Sequence, residues 1–219
     1  MRTLLYATTA LVALVIVPPA NALPITITGF DGTTTVTGTG GSPLNFGPTA
    51  VGTWTAQGSA SGTPPSPLGT LFSNTIAVNT SGSGVFTLWV TETGLTGPLG
   101  TVPYLSSLTT NLLTGGVFSV TETTSLQTDH STPGPSVALG TILDTATFTT
   151  SNQAQTAIFA ALTGNGPYSL TQQYIIHANR GGSANLTIDV MEAVPEPASV
   201  ALLGVGLLGT AAFARRRAQ

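Results

Sequence analysis

A period-two alternation of apolar and polar residues in the last third of the chain constrains the fold most strongly. Between Tyr168 and Met191 the apolar residues fall on one face of an extended strand: Tyr168, Leu170, Tyr174 and Ile176 in the first part, and Leu186, Ile188 and Val190 in the second. A helix would repeat its apolar positions every 3.6 residues, so this pattern predicts strands. Residues 179–182 (Asn-Arg-Gly-Gly) separate the two parts. We interpret the segment as an antiparallel hairpin with one buried face.

The β pattern extends back through residues 23–193. About a fifth of these residues are threonine, and glycine and proline interrupt the chain at short intervals, which is typical of short β-strands. Strands are predicted at residues 25–28, 33–37, 51–57, 71–79, 85–93, 117–124, 141–150, 168–178 and 184–191. Residues 152–162 fit a short helix as well as a strand. The predicted fold class is all-β: a single antiparallel β-sandwich, Ig-like or jelly-roll-like.

The N-terminus has the organisation of a secretory signal peptide. Arg2 precedes an apolar run over residues 4–17, and small residues follow at Ala20 and Ala22. The run is shorter than the about 20 residues that a membrane-spanning helix needs, and the small residues provide a cleavage site. The sequence therefore predicts a signal peptide over residues 1–22, cut after Ala22 by signal peptidase.

The C-terminus holds a second apolar segment. Residues 198–214 carry no charge and precede Arg215, Arg216 and Arg217. As a helix, this segment would be about 25 Å long, which is just sufficient for one C-terminal transmembrane helix. The three arginines are predicted to stay in the cytoplasm as an anchor, because positive charges resist translocation. Residues 23–193, which we call the exported domain, then lie outside the inner membrane, in agreement with the signal peptide.

A tripeptide directly precedes this apolar run: Pro195, Glu196 and Pro197. The order of tripeptide, apolar run and arginine cluster over residues 194–219 resembles the PEP-CTERM sorting signal of Gram-negative bacteria. The resemblance implies that a membrane-embedded exosortase recognises the tripeptide while the precursor is held in the inner membrane. It also implies delivery to the cell surface or to the extracellular exopolysaccharide matrix. The same segment also resembles the C-terminal domain described for some ice-binding proteins.

Composition excludes several classes of function. The chain has no cysteine, which excludes a disulfide framework, a thiolate zinc site and a cysteine nucleophile. Residues 23–194 contain one arginine and seven acidic residues, a net charge of 1 − 7 = −6, which excludes a basic surface for nucleic acid. Asp31, Asp144 and Asp189 are isolated, and no phosphate loop, dinucleotide fingerprint or metal-binding histidine pair is present. No metal and no cofactor are therefore predicted.

Two motifs contain residue types used in catalysis. The sequence Val-Thr-Glu-Thr occurs at residues 90–93 and 120–123, each time after a Val-Phe pair. Strand parity places Glu92 on the face of Phe86 and Glu122 on the face of Phe118, which we interpret as structural repetition. Acid–base chemistry would need the two carboxylates about 5 to 9 Å apart. Residues 129–131, Asp-His-Ser, are predicted to be a loop because adjacent residues do not orient one another as a triad does. No catalytic residue is predicted.

Three classes of function follow from these observations. The first is a structural or adhesive surface protein, with exopolysaccharide or other surface proteins as partners. A variant of this class binds glycans by stacking sugar rings on exposed aromatic residues. The candidate residues are Trp54, Trp89, Tyr104 and Tyr168. The second is ice binding through the threonines of residues 26–28 and 33–39, which would need the same spacing on several neighbouring strands. A secreted hydrolase is the third, and the lack of a catalytic constellation argues against an enzyme. The sequence leaves the oligomeric state open.

Overall fold

Antiparallel strands make up the regular secondary structure of the described residues. The computed structural model describes residues 23–62, 69–97, 100–163 and 166–193. Its strands are β1 (Pro24–Phe30), β2 (Thr35–Gly41), β3 (Leu44–Val51), β4 (Trp54–Gly62), β5 (Thr70–Thr80), β6 (Gly84–Leu95), β7 (Thr101–Gln127), β8 (Thr141–Phe148), β9 (Gln153–Leu162) and β10 (Tyr168–Glu192). The predicted all-β class and antiparallel pairing are confirmed.

Two long strands, β7 and β10, fold the sheet over into two layers. The first half of β10, residues 168–178, pairs with β6 and with the second half of β7. The second half, residues 182–192, pairs with β5 and with the first half of β7. Layer 1 therefore has the strand order β2-β1-β6-β10-β7-β8, and layer 2 has the order β3-β4-β5-β10-β7-β9.

Contacts between the layers show that they pack face to face. Trp54 on β4 stacks against Phe86 on β6 with ring centroids 5.5 Å apart, and the hydroxyl groups of Tyr104 and Tyr168 are hydrogen-bonded at 3.1 Å. A continuous cluster of buried apolar side chains fills the space between the layers. Because strand pairing runs unbroken from one layer to the other, this sandwich is one folded sheet, whereas the Ig-like and jelly-roll-like folds consist of two sheets.

The segment between the halves of β10 bends the sheet and does not reverse the chain, so the predicted hairpin is wrong. The two halves do not pair with each other, because both pair with β7. Glycines allow the bend: a Cβ atom on Gly182 would lie 2.4 Å from the carbonyl oxygen of Thr114, and one on Gly116 would lie 2.3 Å from that of Arg180. The backbones of β7 and β10 approach each other here more closely than a side chain permits.

Most of the other predicted strands are confirmed with small shifts in their bounds. The predictions at residues 25–28, 71–79, 85–93 and 141–150 correspond to β1, β5, β6 and β8, and residues 153–162 form a strand, β9. Residues 54–57 of the strand predicted at 51–57 lie in β4, but its start is wrong, because Val51 ends β3 and the chain turns at Gly52, which has a φ of +60°. Strand β3 and the first half of β7 were not predicted.

Strand β2 begins at Thr35, two residues later than predicted. The side chain of Asp31 causes this shift, because its Oδ1 atom accepts hydrogen bonds from the backbone N–H groups of Thr33 at 2.9 Å and Thr34 at 2.6 Å. An aspartate that binds backbone groups two and three residues ahead stabilises a turn. The residues after Asp31 are therefore held in the β1–β2 turn.

Several sequence predictions concern residues that lie outside the described ranges. These are the signal peptide with Ala20 and Ala22, the apolar run at 198–214, the tripeptide at 195–197 and the arginines at 215–217. Within the described ranges, no helix has the length and apolar character needed to cross a membrane.

Candidate functional site

The folded domain continues to Ala193 without a linker. The backbone N–H of Glu192 donates to the carbonyl of Gly69 at 3.0 Å, and the N–H of Ala193 donates to the carbonyl of Pro103 at 2.8 Å. Residues 194–197 are then the only chain between the domain and the predicted apolar run. Four residues reach at most about 14 Å, so the domain must lie close to any membrane that holds residues 198–214.

The described chain begins and ends at the same end of the sandwich. Strand β1 pairs with β6, and β6 with β10, in registers that place the start of β1 level with the start of β10. The two ends of β10 also lie opposite each other across the layers. Tyr168, at its start, is hydrogen-bonded to Tyr104, which pairs with Glu192 at its end. From ordinary strand and layer spacings, Leu23 and Ala193 lie about 15 Å apart. We call this the proximal end, and the end at residues 179–182 the distal end.

We expect the mature protein to begin at Leu23. Strand β1 starts at Pro24, so cleavage after Ala22 removes the predicted signal peptide and leaves every residue of the strand. N-terminal sequencing of the exported protein checks this prediction. Replacement of Ala22 by tyrosine is expected to block cleavage, because signal peptidase requires a small residue there. An exported protein that retains residues 1–22 would contradict the prediction.

The four aromatic residues predicted as sugar platforms are buried: Trp54 and Trp89 are 2% and 6% exposed, and Tyr104 and Tyr168 are 0% exposed. Three of them point between the layers, where Trp54 stacks on Phe86 and the two tyrosines bind each other. These side chains are part of the core and are not available to a glycan, so this prediction is wrong.

An aromatic residue that the sequence analysis did not select is exposed instead. Phe118 is 51% exposed, and its ring lies 5.9 Å from that of His177. A β-bulge explains the exposure: His177 pairs with Ser119 and Ala178 pairs with Val117, which leaves Phe118 as the extra residue. Bulges redirect side chains in this way. The predicted common face of Glu and Phe therefore holds for Phe86, which is buried like Glu92, and fails for Phe118.

Residues beside Phe118 extend the exposed surface at the distal end. Val85, which is 41% exposed, pairs with His177. A Cβ atom on Gly116 would lie 2.3 Å from Cγ of Arg180, so the stem of the Arg180 side chain lies against β7 at Gly116, two residues before Phe118. We call Val85, Phe118, His177 and Arg180 the distal patch. Glycines within a strand pattern indicate a bulge or a close backbone approach, so the sequence does mark the position of the distal patch.

Glu92 and Glu122 are not neighbours in the sheet. Glu92 pairs with Leu170, and Glu122 pairs with Tyr174, on opposite sides of β10. Four residues along the strand and two strand spacings across it separate their Cα positions by about 16 Å. This distance exceeds the range that paired carboxylates require. The spacing of the two Cα positions therefore does not support the acid–base interpretation of the repeated motif.

Both glutamates are nevertheless unusual, because their side chains are fully buried between the layers. Neither oxygen of Glu92 has a hydrogen-bond partner among the described residues; Oε1 of Glu122 accepts a bond at 3.4 Å from the Thr110 hydroxyl, and its Oε2 has no partner there. Burial disfavours the charged form and raises the pKa of each carboxyl to about 8. Both side chains are therefore mainly neutral at neutral pH.

The Asp129, His130 and Ser131 motif lies in a loop, as predicted. Asp129 accepts a hydrogen bond from the backbone N–H of Ser131 at 3.1 Å, and hydrogen bonding from Ser131 lowers the pKa of its carboxyl. Its carboxylate thus stabilises the turn. In the described ranges, histidines, aspartates and glutamates form no group of three or more that could hold a metal ion.

Threonines do line up across neighbouring strands on the outer face of layer 1. Hydroxyl pairs join Thr26 to Thr39 at 3.3 Å, Thr28 to Thr37 at 3.2 Å and Thr91 to Thr171 at 3.0 Å. Thr91 and Thr171 are fully buried, however. Residues 128–140 lie across this face, where the Ser169 hydroxyl donates to the carbonyl of Ser131 at 2.6 Å. The described threonines therefore do not form the continuous flat surface that ice binding requires.

The residues that follow the described domain match a known sorting signal. A family model described as the PEP-CTERM protein-sorting motif matches residues 193–217. The chain carries a PEP-CTERM sorting motif. The match contains the predicted tripeptide and arginine cluster, and it begins at Ala193, the last residue of the domain with a described backbone hydrogen bond. A PEP-CTERM motif implies export and a membrane-anchored precursor that exosortase processes.

Solved structures similar to this chain have low sequence identity to it. TmCBM61, solved in complex with β-1,4-galactotriose, is 14% identical over 65% of this chain and 90% of its own, with a TM-score of 0.33. The K1 cleaved adhesin domain of Lys-gingipain from Porphyromonas gingivalis W83 is 11% identical over 71% and 99%, with a TM-score of 0.34. Both TM-scores lie below 0.5, so the topology described above rests on the strand pairing of this chain alone. No curated protein sequence matches the chain.

Proposed function

We propose that the protein is an exosortase-sorted component of the cell surface or extracellular matrix that contacts exopolysaccharide through its exported domain. The proposal comprises a signal peptide at residues 1–22, the β-sandwich domain at 23–193, and a sorting signal at 194–219 with a transmembrane helix that precedes exosortase processing. The observation that carries it is the position of the PEP-CTERM motif, which starts where the last described backbone hydrogen bonds of the domain end. The proposed role of the protein is structural or adhesive.

The chain ends orient the domain on the membrane. Because Leu23 and Ala193 share the proximal end, the predicted signal peptide and the predicted anchor both leave the domain toward the membrane. The second half of β10 is about 35 Å long at about 3.3 Å per residue. The distal patch is therefore held away from the bilayer by the length of the sandwich, where it is accessible to extracellular polymers.

The distal patch has the chemistry to bind a polysaccharide that carries carboxylate groups. Phe118 and Val85 offer an apolar surface to the C–H face of a sugar ring, and His177 lies beside the Phe118 ring. Arg180 is the only arginine or lysine in residues 23–193, and its guanidinium group can bind a carboxylate through two hydrogen bonds. Within a domain of net negative charge, Arg180 supplies the positive charge that a carboxylate group of the polymer would bind.

We expect alginate, a polymer of uronic acids, to retard the exported protein in affinity electrophoresis more than neutral dextran does. Phe118→Ala and Arg180→Gln should each weaken binding about fivefold, which corresponds to about 1 kcal/mol. The Arg180→Gln effect should diminish at high salt, because salt screens exposed charges.

Ile142→Ala provides a matched control for this experiment. Ile142 is 48% exposed on β8, near the proximal end, and lies outside the distal patch. This variant should bind as the unsubstituted protein does. Equal losses in all three variants, or no retention by alginate or by the polysaccharide of the producing bacterium, would refute the proposed contact.

A further inference from the structure

Among the described residues, strand β9 is an edge strand that pairs on one side only. It pairs with β7 on one side and forms the edge of layer 2. Its sequence, QAQTAIFAAL, contains no charged residue, proline or glycine. Ile158 is 65% exposed on the outer face, and Phe159 is 36% exposed although it shares a face with the buried Tyr104. Unpaired backbone groups and exposed apolar side chains on one strand are a template for another strand.

The other edge strands carry features that oppose such pairing. Strand β3, the opposite edge of layer 2, contains Pro48 within a bulge next to Gly47. Strand β8, beside β9 in layer 1, contains the inward-pointing Asp144, which is 3% exposed and accepts a hydrogen bond from Gln155 at 2.6 Å. Strand β2 contains three glycines among seven residues. Proline, inward charges and glycine each weaken edge-to-edge pairing, and β9 has none of them.

We propose that β9 pairs antiparallel with β9 of a second copy of this chain, which joins layer 2 of the two molecules into one sheet. The partner must be an uncharged strand of similar length with apolar side chains at matching positions, and β9 itself meets these requirements. Because the strand has no charge, a twofold-symmetric pair places no like charges opposite each other. The pairing does not depend on the proposed contact with polysaccharide.

Strand parity requires residues of the same face to lie opposite each other, which leaves two registers that pair nine residues of each strand, one centred on Ala157 and one on Ile158. The proposed register is centred on Ile158, because it places the two side chains that are 65% exposed opposite each other. With Ile158 of one copy opposite Ile158 of the other, residues 154–162 of both strands are paired, which uses nearly the whole strand. Phe159 then lies opposite Ala157 on the inward face, and Thr156 lies opposite Ala160 on the outer face. The second copy covers the open side of Phe159, which none of the strands β1–β10 of the same copy pairs along.

Single cysteines test this register directly, because the chain has no cysteine of its own. Opposed residues of an antiparallel pair have Cα atoms about 4.5 to 5.5 Å apart, a distance that a disulfide spans. Ile158→Cys should therefore give a disulfide-linked dimer of the exported protein on a non-reducing gel, about tenfold more than Thr37→Cys on the edge strand β2. Thr156→Cys and Ala160→Cys should each remain monomeric alone and should form a dimer when the two are mixed.

A lysine introduced on β9 tests whether a charge on this uncharged edge strand prevents the pairing. Ala160→Lys in the Ile158→Cys protein should reduce the dimer to the level of the Thr37→Cys control, whereas Thr37→Lys in the same protein should leave it unchanged. The amount of exported protein shows that each variant folds and leaves the cell. The proposal is overturned if Ile158→Cys dimerises no more than Thr37→Cys. It is also overturned if all β9 positions crosslink alike, since parallel or random contact would produce that result.

Discussion

Replacement of Pro195, Glu196 and Pro197 by three alanines is expected to leave an unprocessed precursor in the inner membrane. Proline disfavours helix at its own position and at the residue before it, so the tripeptide keeps this part of the backbone extended. Alanine has the highest helix propensity, so the apolar helix would extend toward the domain. Since the domain is hydrogen-bonded up to Ala193, little unwound chain would remain for a protease to bind.

The measurement is the mass and location of the protein after cell fractionation. We expect the unsubstituted protein to be shortened at its C-terminus and found outside the inner membrane, and nearly all of the triple-alanine variant to be full-length in that membrane. Arg215, Arg216 and Arg217 are retained in the variant, so its orientation should not change. Each charge costs about 2.5 to 3.5 kcal/mol at the membrane centre on insertion scales.

A second proline-containing tripeptide provides the control. Pro133, Gly134 and Pro135 lie in the loop between β7 and β8, so their replacement by alanine makes a change of similar size away from the sorting motif. This control should be processed normally. If the variant at residues 195–197 kept the size and location of the unsubstituted protein, the apolar run would be a permanent anchor and the tripeptide only a linker.

Local sequence signals predicted much of the fold. Alternation identified β1, β5, β6 and β8 because their apolar side chains recur on the face toward the core, and the sorting motif could be identified because its tripeptide, apolar run and arginines are contiguous. The bend in β10 could not be predicted in this way. Whether residues 179–182 reverse the chain depends on β7, which pairs with both halves of β10 and is distant in sequence.

The candidate surface was missed for a related reason. Strand parity predicts which face a side chain occupies only if no residue is inserted, and the bulge at Phe118 breaks the parity of β7. Exposure of aromatic residues depends on the second layer and on residues 128–140, neither of which a single strand pattern reveals. Trp54 and Tyr168 therefore seemed available from the sequence and are core residues in the structure.

The stability of the exported domain is expected to fall as the pH rises from about 5 to 9. In the folded domain the pKa of Glu92 and that of Glu122 are raised to about 8 from an ordinary value of 4.5. Between these two values the folded state binds more protons than the unfolded state, so unfolding releases protons and becomes easier as pH rises. The contribution is fully present below pH 4.5 and is lost once both carboxyls are ionised above pH 8.

Substitution with glutamine separates this effect from other titrations. At about 1.4 kcal/mol per pKa unit, each carboxyl should weaken folding by several kcal/mol at pH 9 relative to pH 5. Glu92→Gln and Glu122→Gln keep the size of the side chain and remove its charge, so each should flatten the decrease in melting temperature with pH. The double variant should lose the part of the decrease that these two carboxyls cause and keep the part due to Asp189 and Glu192, because burial raises the pKa of those carboxyls as well.

Asp129→Asn is the control that shows the effect depends on burial. The pKa of Asp129 is lowered by its hydrogen bonds to Ser131, so this group contributes stability that is lost only as the pH falls below its ordinary value of 3.8. The Asp129→Asn protein should therefore follow the unsubstituted protein between pH 5 and 9. If the melting temperature decreased with pH equally in the unsubstituted protein and in the Glu92→Gln, Glu122→Gln double variant, the two glutamates would be solvated. The description of both side chains as buried and mainly neutral would then be wrong.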